Sequence, residues 1–139
     1  MPTIETIGPS WAPRLLSVLR FVVGLLFLEH GLSKLFGFPP VPEMGKIELI
    51  SLIGLSGILE FVGGLLLILG LFTRPTAFIL SGEMAVAYFM VHAPRGFYPI
   101  LNEGESAIVY CFVFLYLAAA GAGPWSIDAK KMAGNSVPS

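Results

Sequence analysis

Seven ionisable side chains sit inside or at the rim of four apolar stretches: Arg20, Glu29, His30, Lys34, Glu60, Glu83 and Glu105. Groups of these types can pair as ions, pass protons, or hold an anionic or carbonyl-bearing ligand. A charge in hydrocarbon costs roughly 3 kcal/mol on insertion scales, so such groups pair with one another or line a cavity. Any function of this chain is sought among them.

Depth divides them into two constellations. At about 1.5 Å per residue, Glu60 and Glu83 fall near the middle of the second and third stretches. Arg20 falls in one outer third of the first, toward the chain's N-terminal side. The expectation is that Arg20 pairs with Glu60, Glu83 or both, as a buried ion-pair set that fixes helix register. A protonated carboxyl is the alternative.

The second constellation lies toward the opposite face. Arg20, Gly31 and Lys34 share one face of the first helix at about 100° per residue, with His30 at its edge. Glu29 falls on the opposite side from Arg20 and has no assigned role. His30 and Lys34 are one turn apart and so are neighbours. His92 ends the third stretch, and Asn102, Glu103 and Glu105 open the fourth, where acidic groups suit a helix N-terminus. His30, Lys34, His92, Asn102 and Glu105 are the candidates for ligand binding or proton relay. They are expected to converge in a polar pocket roofed by Phe38, Phe97 and Tyr98.

Two histidines suggest two further chemistries, and the spacing disfavours both. A bis-histidine haem needs ligands at one depth. His30 lies well inside its stretch and His92 almost at the edge. A metal site of His30, His92, Glu105 and Glu29 has none of the short-period spacing that places two histidines on one helix face, so no metal is expected.

The elements that must position these groups are helices. The chain has 139 residues, of which 55% are hydrophobic and 12% charged, with a net charge of -1. A soluble domain carries about 25% charged residues, so the composition is that of a membrane protein. The expected spans are about 14–36, 47–71, 75–93 and 105–122, in a single membrane domain over 1–139. No room remains for a soluble catalytic domain, and nothing in the charge points to nucleic acid. Pro13 suits the start of the first span and Pro75 that of the third. Pro39 and Pro40 stop the first helix. The start MPTIETIGPSWAP has no basic region and carries Glu5, so it does not read as a cleaved signal peptide.

Loop lengths then set the topology. Spans two and three form a tight antiparallel hairpin through FTRP, on the side of the two tails. The longer loops, 37–46 and 94–105, lie on the other side. Arg14, Arg20, Arg74, Lys130 and Lys131 stand toward the tail side, against Lys34, Lys46 and Arg95 on the loop side. That bias favours both termini in the cytoplasm, and Trp11 and Trp125 fall on that side, where an aromatic belt would want them. Gly24, Gly31, Gly54, Gly57, Gly63 and Gly64 mark faces where helix backbones approach closely in lipid. Cys111 is the chain's one cysteine, so no internal disulfide or CxxC pair exists. It reads as a small buried apolar side chain.

The runs RFVVGLLFLEHGLSKLFGFP, ISLIGLSGILEFVGGLLLILGLFTRP, GEMAVAYFMVHAPRGFYP and LNEGESAIVYCFVFLYLAAAGAGPWSID follow one another over about 14–128. In this combination of HGxxKLFGFP, LExxGGLLLxLGLFTRP and NEGExA…GxGPWSID the chain resembles the DoxX family. The resemblance implies an all-α bundle of four antiparallel transmembrane helices in the bacterial cytoplasmic (inner) membrane. Some relatives are subunits of a thiosulfate:quinone oxidoreductase, and others belong to membrane oxidoreductase complexes that handle oxidative or thiol stress. Arg20, His30, Gly31, Lys34, Glu60, Glu83, His92, Asn102 and Glu105 match the motif positions, without settled roles.

The function expected is an integral subunit of a membrane oxidoreductase system that is quinone-linked. His30 and Lys34 would hold a quinone carbonyl or an anionic substrate, Glu105 and His92 would pass protons, and Arg20, Glu60 and Glu83 would hold the site. Quinone is the one cofactor expected. The lack of a cysteine pair argues against thiol–disulfide chemistry by this subunit itself. Two alternatives stand beside it: a non-catalytic structural or assembly subunit of a larger complex, and a small transporter or channel. The partners expected are the lipid bilayer and either other membrane subunits or further copies of the chain.

Overall fold

The computed structural model describes residues 1–42 and 49–136. Every regular element among them is helical. In order these are α1 (Ile4–Phe36), α2 (Leu52–Leu69), α3 (Thr73–Ala87), a short α4 (Pro99–Asn102), α5 (Glu105–Ala120) and α6 (Ile127–Asn135). A π-helical turn over Tyr88–His92 and a 3-10 turn over Ala93–Arg95 prolong α3. Among the described residues, three helices are long and apolar enough to cross a membrane: Ile4–Phe36, Leu52–Leu69 and Thr73–Arg95. The fourth apolar helix, α5, has 16 residues.

Their outward faces carry Phe21, Leu25, Ile53, Ile79, Val86 and Phe112, all exposed. The inward faces meet at Val23, Phe27, Leu67, Leu80, Phe114 and Leu117. Phe27 and Phe114 pack edge to face with ring centroids 4.6 Å apart, the favoured aromatic geometry.

Three boundaries differ from the sequence expectation. α1 begins at Ile4 and runs through Pro9 and Pro13, where a tail up to residue 13 was expected. Thr3 caps it in a box closed by Thr6, so the upstream residues supply the start signal that Pro13 was expected to give. At 33 residues, α1 is about 50 Å long, so its first turns project beyond a hydrocarbon layer of about 30 Å. The second helix begins at Leu52, with Ser51 as N-cap, and the start expected at Ile47 lies outside the described residues. The expected polar tail contains α6, whose N-cap Ser126 accepts from the Ala129 N–H at 3.1 Å.

Close helix pairs are α1 with α2 and α3 with α5. Glycines set the first pair. A Cβ on Gly31 would lie 2.5 Å from the Phe61 main-chain nitrogen, and one on Gly64 would lie 2.6 Å from that of Leu28. Only hydrogen fits at either place. Gly24 and Gly31 are seven residues apart, as are Gly57 and Gly64, the spacing of a left-handed crossing. α2 and α3 are joined by a tight turn, as expected. Gly70 ends α2 at φ 66°, with Leu71 N–H bonded to Leu66 O and Gly70 N–H to Leu67 O, a Schellman cap. Above the turn the two helix bodies part and leave a groove.

Candidate functional site

The ends of the bundle carry different chemistry. At the end shared by α6 and the α2–α3 turn, charged side chains close helix termini. Arg20 is 2% exposed. Its Nη1 donates to Leu67 O at 3.1 Å and its Nη2 to Trp125 O at 2.7 Å. The expected pairing of Arg20 with Glu60 or Glu83 is therefore corrected. Its guanidinium instead satisfies a carbonyl in the last turn of α2, where orphan acceptors and the helix dipole favour a cation. Arg74 does the same for α5, through Ala118 O and Ala119 O. Asp128 does the converse for α3: its carboxylate accepts from the Phe72 and Thr73 N–H groups at 3.0 Å each. Ser17 links α1 to the same segment, accepting from Trp125 N–H at 3.1 Å. Gly123, at φ 78°, lets the chain pass against Ser17, where any Cβ would collide with its hydroxyl.

The cation that meets Glu60 is Lys34, whose Nζ stands 2.8 Å from Glu60 Oε1. Nζ also donates to Ser56 Oγ at 3.0 Å. Ser56 lies one turn before Glu60, so α2 presents hydroxyl and carboxylate on one face. Glu60 sits at the midpoint of α2, with its side chain 3% exposed. Glu83 sits at the midpoint of Thr73–Arg95 and belongs to the same electrostatic cluster as Glu60 and Lys34. Glu60 Oε2 and both Glu83 oxygens are buried without a hydrogen-bond partner. Buried acceptors in this condition are costly, and they mark strain, catalysis or an absent donor.

Two cavities flank the Lys34–Glu60 pair. The larger, about 440 Å³, is the groove between α2 and α3. Leu52, Leu55, Leu59, Ile79 and Val86 line it, with Lys34, Ser56, Glu60 and Glu83 as its polar part. A second apolar cavity of about 200 Å³ shares Leu59 and Ile79 and carries the groove toward Leu66 and Thr76. The smaller polar cavity, about 160 Å³, lies between α1, α3 and α5. It brings His30, Lys34, Glu60 and His92 together with Ser106 and Tyr110. Lys34, Glu60, Met84 and Ala87 border both spaces.

The loop end fixes His92. Its Nδ1 lies 2.9 Å from Asn102 O. A carbonyl only accepts, so this bond places a proton on Nδ1 and leaves Nε2 as the free ring nitrogen. Asn102 is fully buried. Its amide donates to Gly96 O at 2.9 Å and to the Tyr88 hydroxyl at 3.3 Å, and its Oδ1 accepts from Gly104 N–H at 2.8 Å. These bonds occupy its side chain in shaping the loop.

Of the five expected relay or ligand residues, the structure brings three into one cavity: His30, Lys34 and His92. Asn102 supports that cavity from behind, and Glu105 stands exposed in the first turn of α5, outside its walls. Tyr110, Ser106 and Ser56 were not anticipated. Ser106 and Tyr110 are one turn apart on α5, in line with Phe114, a stripe the sequence does carry. Glu29 is exposed on α1, with no ion pair or hydrogen bond among the described residues. No three His, Cys, Asp or Glu side chains among the described residues are grouped to hold a metal.

Comparison with known proteins places this geometry in a family. The DoxX family model matches residues 15–93. A Haemophilus influenzae protein named only "Uncharacterized protein" is 45% identical over 87% of this chain and 93% of its own. The Escherichia coli "Inner membrane protein YqjF" is 28% identical over 80% of this chain and 87% of its own. The Bacillus subtilis "Putative oxidoreductase CatD" is 26% identical over 80% of this chain and 82% of its own. No solved structure matches. With the family model covering more than half of its length, the chain belongs to the DoxX family and is a multi-pass protein of the bacterial cytoplasmic membrane.

Proposed function

We propose that this chain is the membrane-embedded subunit of an oxidoreductase system and that it seats a quinone in the groove between α2 and α3. The observation that carries this reading is the trio at the polar end of that groove. Among the described residues one ammonium, Lys34, pairs with Glu60 alone, and Glu60 Oε2 and both oxygens of Glu83 are buried and unpartnered. Such acceptors are completed by a donor, either a proton or a ring hydroxyl. The groove and its extension are apolar and reached from the bilayer, which suits a ring on an isoprenoid tail. The name of the B. subtilis relative agrees with redox work for the family.

When bound, the quinone supplies the two-electron, two-proton chemistry, with electrons exchanged through a partner protein. The chain's own residues handle position and protons. Lys34 holds Glu60 in place from α1. Glu83 presents its carboxyl to the groove as the proton-holding group. His92, with Nδ1–H tied to Asn102, offers Nε2 to the smaller cavity. Because Lys34 and Glu60 border both spaces, a proton can reach Glu83 from the loop side without crossing apolar surface.

In this reading α5 is the fourth span. Its 16 residues measure about 24 Å, and Gly121–Trp125 carries the chain on to the level of Arg20. Both termini face the cytoplasm. Arg14, Arg74, Lys130 and Lys131 gather at that end with Trp11 and Trp125.

The test is quinone retention by the purified protein in lipid nanodiscs. Isoprenoid quinone is expected to co-purify, and decylubiquinone to bind. Lys34→Ala and Glu83→Gln should each weaken binding about tenfold, the worth of one hydrogen bond to a charged group. An extract free of quinone, together with binding that neither substitution changes, would sink the reading.

A further inference from the structure

Glu29 is the one carboxylate that α1 turns outward at membrane depth. It lies about 10 Å below the loop-side end of the helix, since α1 ends at Phe36. A helical Cα–Cβ bond tilts toward the N-terminus, which for α1 is away from the loop face. Glu29 therefore cannot easily reach back to water on the loop side. Tyr110 of α5 lies near enough to feel its charge, but no ion pair or hydrogen bond satisfies Glu29 among the described residues, so its carboxylate calls for a further donor. The next residue, His30, is exposed as well, and its ring meets Phe27 with centroids 5.9 Å apart. An acid and a base thus stand side by side, at one depth, on one uncovered strip of helix.

We propose that this strip is the contact with a second copy of the chain, in which Glu29 of each copy accepts a hydrogen bond from His30 of the other. A two-fold axis along the membrane normal keeps every residue at its own depth. An isologous contact along such an axis sets residue i against j and j against i. Neighbouring residues of opposite character are the pattern that such an axis satisfies twice. A foreign partner would need only one of the two. The rest of the strip fits a parallel pairing of two α1 helices. Leu15, Leu19, Val22 and Leu26 are exposed and lead to Glu29 at alternating spacings of four and three, the period of a left-handed helix pair. Their apolarity alone says nothing in lipid, and the acid–base step at the end supplies the register.

The second copy also completes the polar cavity. His30 lines that cavity at its edge, between α1 and α5. α1 and α5 meet there through Phe27, Tyr110 and Phe114. A carboxylate arriving from the other copy would close the mouth and fix which ring nitrogen of His30 carries the proton. The dimer stands on this placement and not on the identity of the ligand.

The experiment is native mass spectrometry of the full chain from lipid nanodiscs, with disulfide crosslinking of Val22→Cys in a Cys111→Ser background. Wild type should appear at twice the 14.9 kDa chain mass, and Val22→Cys should crosslink. Glu29→Ala and His30→Ala should each return the monomer. The exchange Glu29→His with His30→Glu should restore the dimer, because a two-fold contact keeps both pairs after the swap. A monomeric wild type, a dimer indifferent to Glu29→Ala, or an exchange variant that stays monomeric would overturn the proposal. So would crosslinking through Phe112→Cys on α5 in place of Val22→Cys. None of these outcomes depends on quinone.

Discussion

The Lys34 ammonium and the Glu60 carboxylate stand 2.8 Å apart and form a wall between two cavities, one open to lipid and one beneath the loops. The bond crosses from the last turns of α1 to the middle of α2. It is therefore both a tie between the closest helix pair and the polar passage between the two spaces.

Removing one partner of that pair strands the other. Lys34→Met is expected to cost about 3 kcal/mol, the scale for a buried ion left uncompensated. Adding Glu60→Gln should recover at least half of the loss. Thermal unfolding of the four proteins of this cycle in one detergent checks it. An additive double variant would mean that the two groups do not act as a pair.

Asp128 ties the segment after α5 to the start of α3 through two main-chain N–H groups. Asp128→Ala should cost about 1–2 kcal/mol, as for other caps at a helix N-terminus. It should also loosen α6, so limited trypsin should cut at Lys130 and Lys131 sooner than in wild type. Unchanged cleavage rates would show that α6 is held by other contacts.

Glycine substitutions should separate by place. Gly31→Ala puts a methyl 2.5 Å from the Phe61 nitrogen and should cost about 1–3 kcal/mol by forcing α1 from α2. Gly8→Ala meets nothing within 4 Å and should be neutral or stabilising by up to about 1 kcal/mol, through helix propensity. Chemical denaturation of both variants decides this, and equal losses would refute the packing account.

Asn102 holds the loop with bonds to Gly96, Tyr88 and Gly104. Asn102→Asp sets a carboxylate oxygen against the Gly96 carbonyl, acceptor facing acceptor, while the Tyr88 hydroxyl can turn to donate. It should cost about 2 kcal/mol and release the segment around His92. Amide hydrogen exchange over residues 93–104 should rise several-fold, with α1 and α2 unaffected. Exchange confined to wild-type levels would place the loop's stability elsewhere.

Three long apolar helices and a shorter one, the tight α2–α3 turn and the glycine faces were legible because they rest on length, hydropathy and the absence of a side chain. The partners of the charges were not. Counting depth by Cα placed Lys34 near the rim and set Arg20 opposite the carboxylates. Side chains on α1 lean toward its N-terminus, so Lys34 reaches inward to Glu60 while Arg20 reaches outward to Leu67 and Trp125. One tilt accounts for both differences. The capping roles of Arg20, Arg74 and Asp128 had no pattern to announce them, because their partners are main-chain groups that every residue carries.

The π turn at Tyr88–His92 has a consequence for how α3 is read along its length. It takes up one residue more than an α turn does and so advances the helix out of phase. Residues before it, such as Met84 and Ala87, and residues after it, such as His92, can then share one cavity wall at a spacing that an unbroken helix would rotate apart. Making this turn α-helical with every residue kept would swing the imidazole off the wall, whereas deleting one residue with it would leave Met84, Ala87 and His92 on one face. The irregular turn acts here as a phase shifter, and the site depends on it.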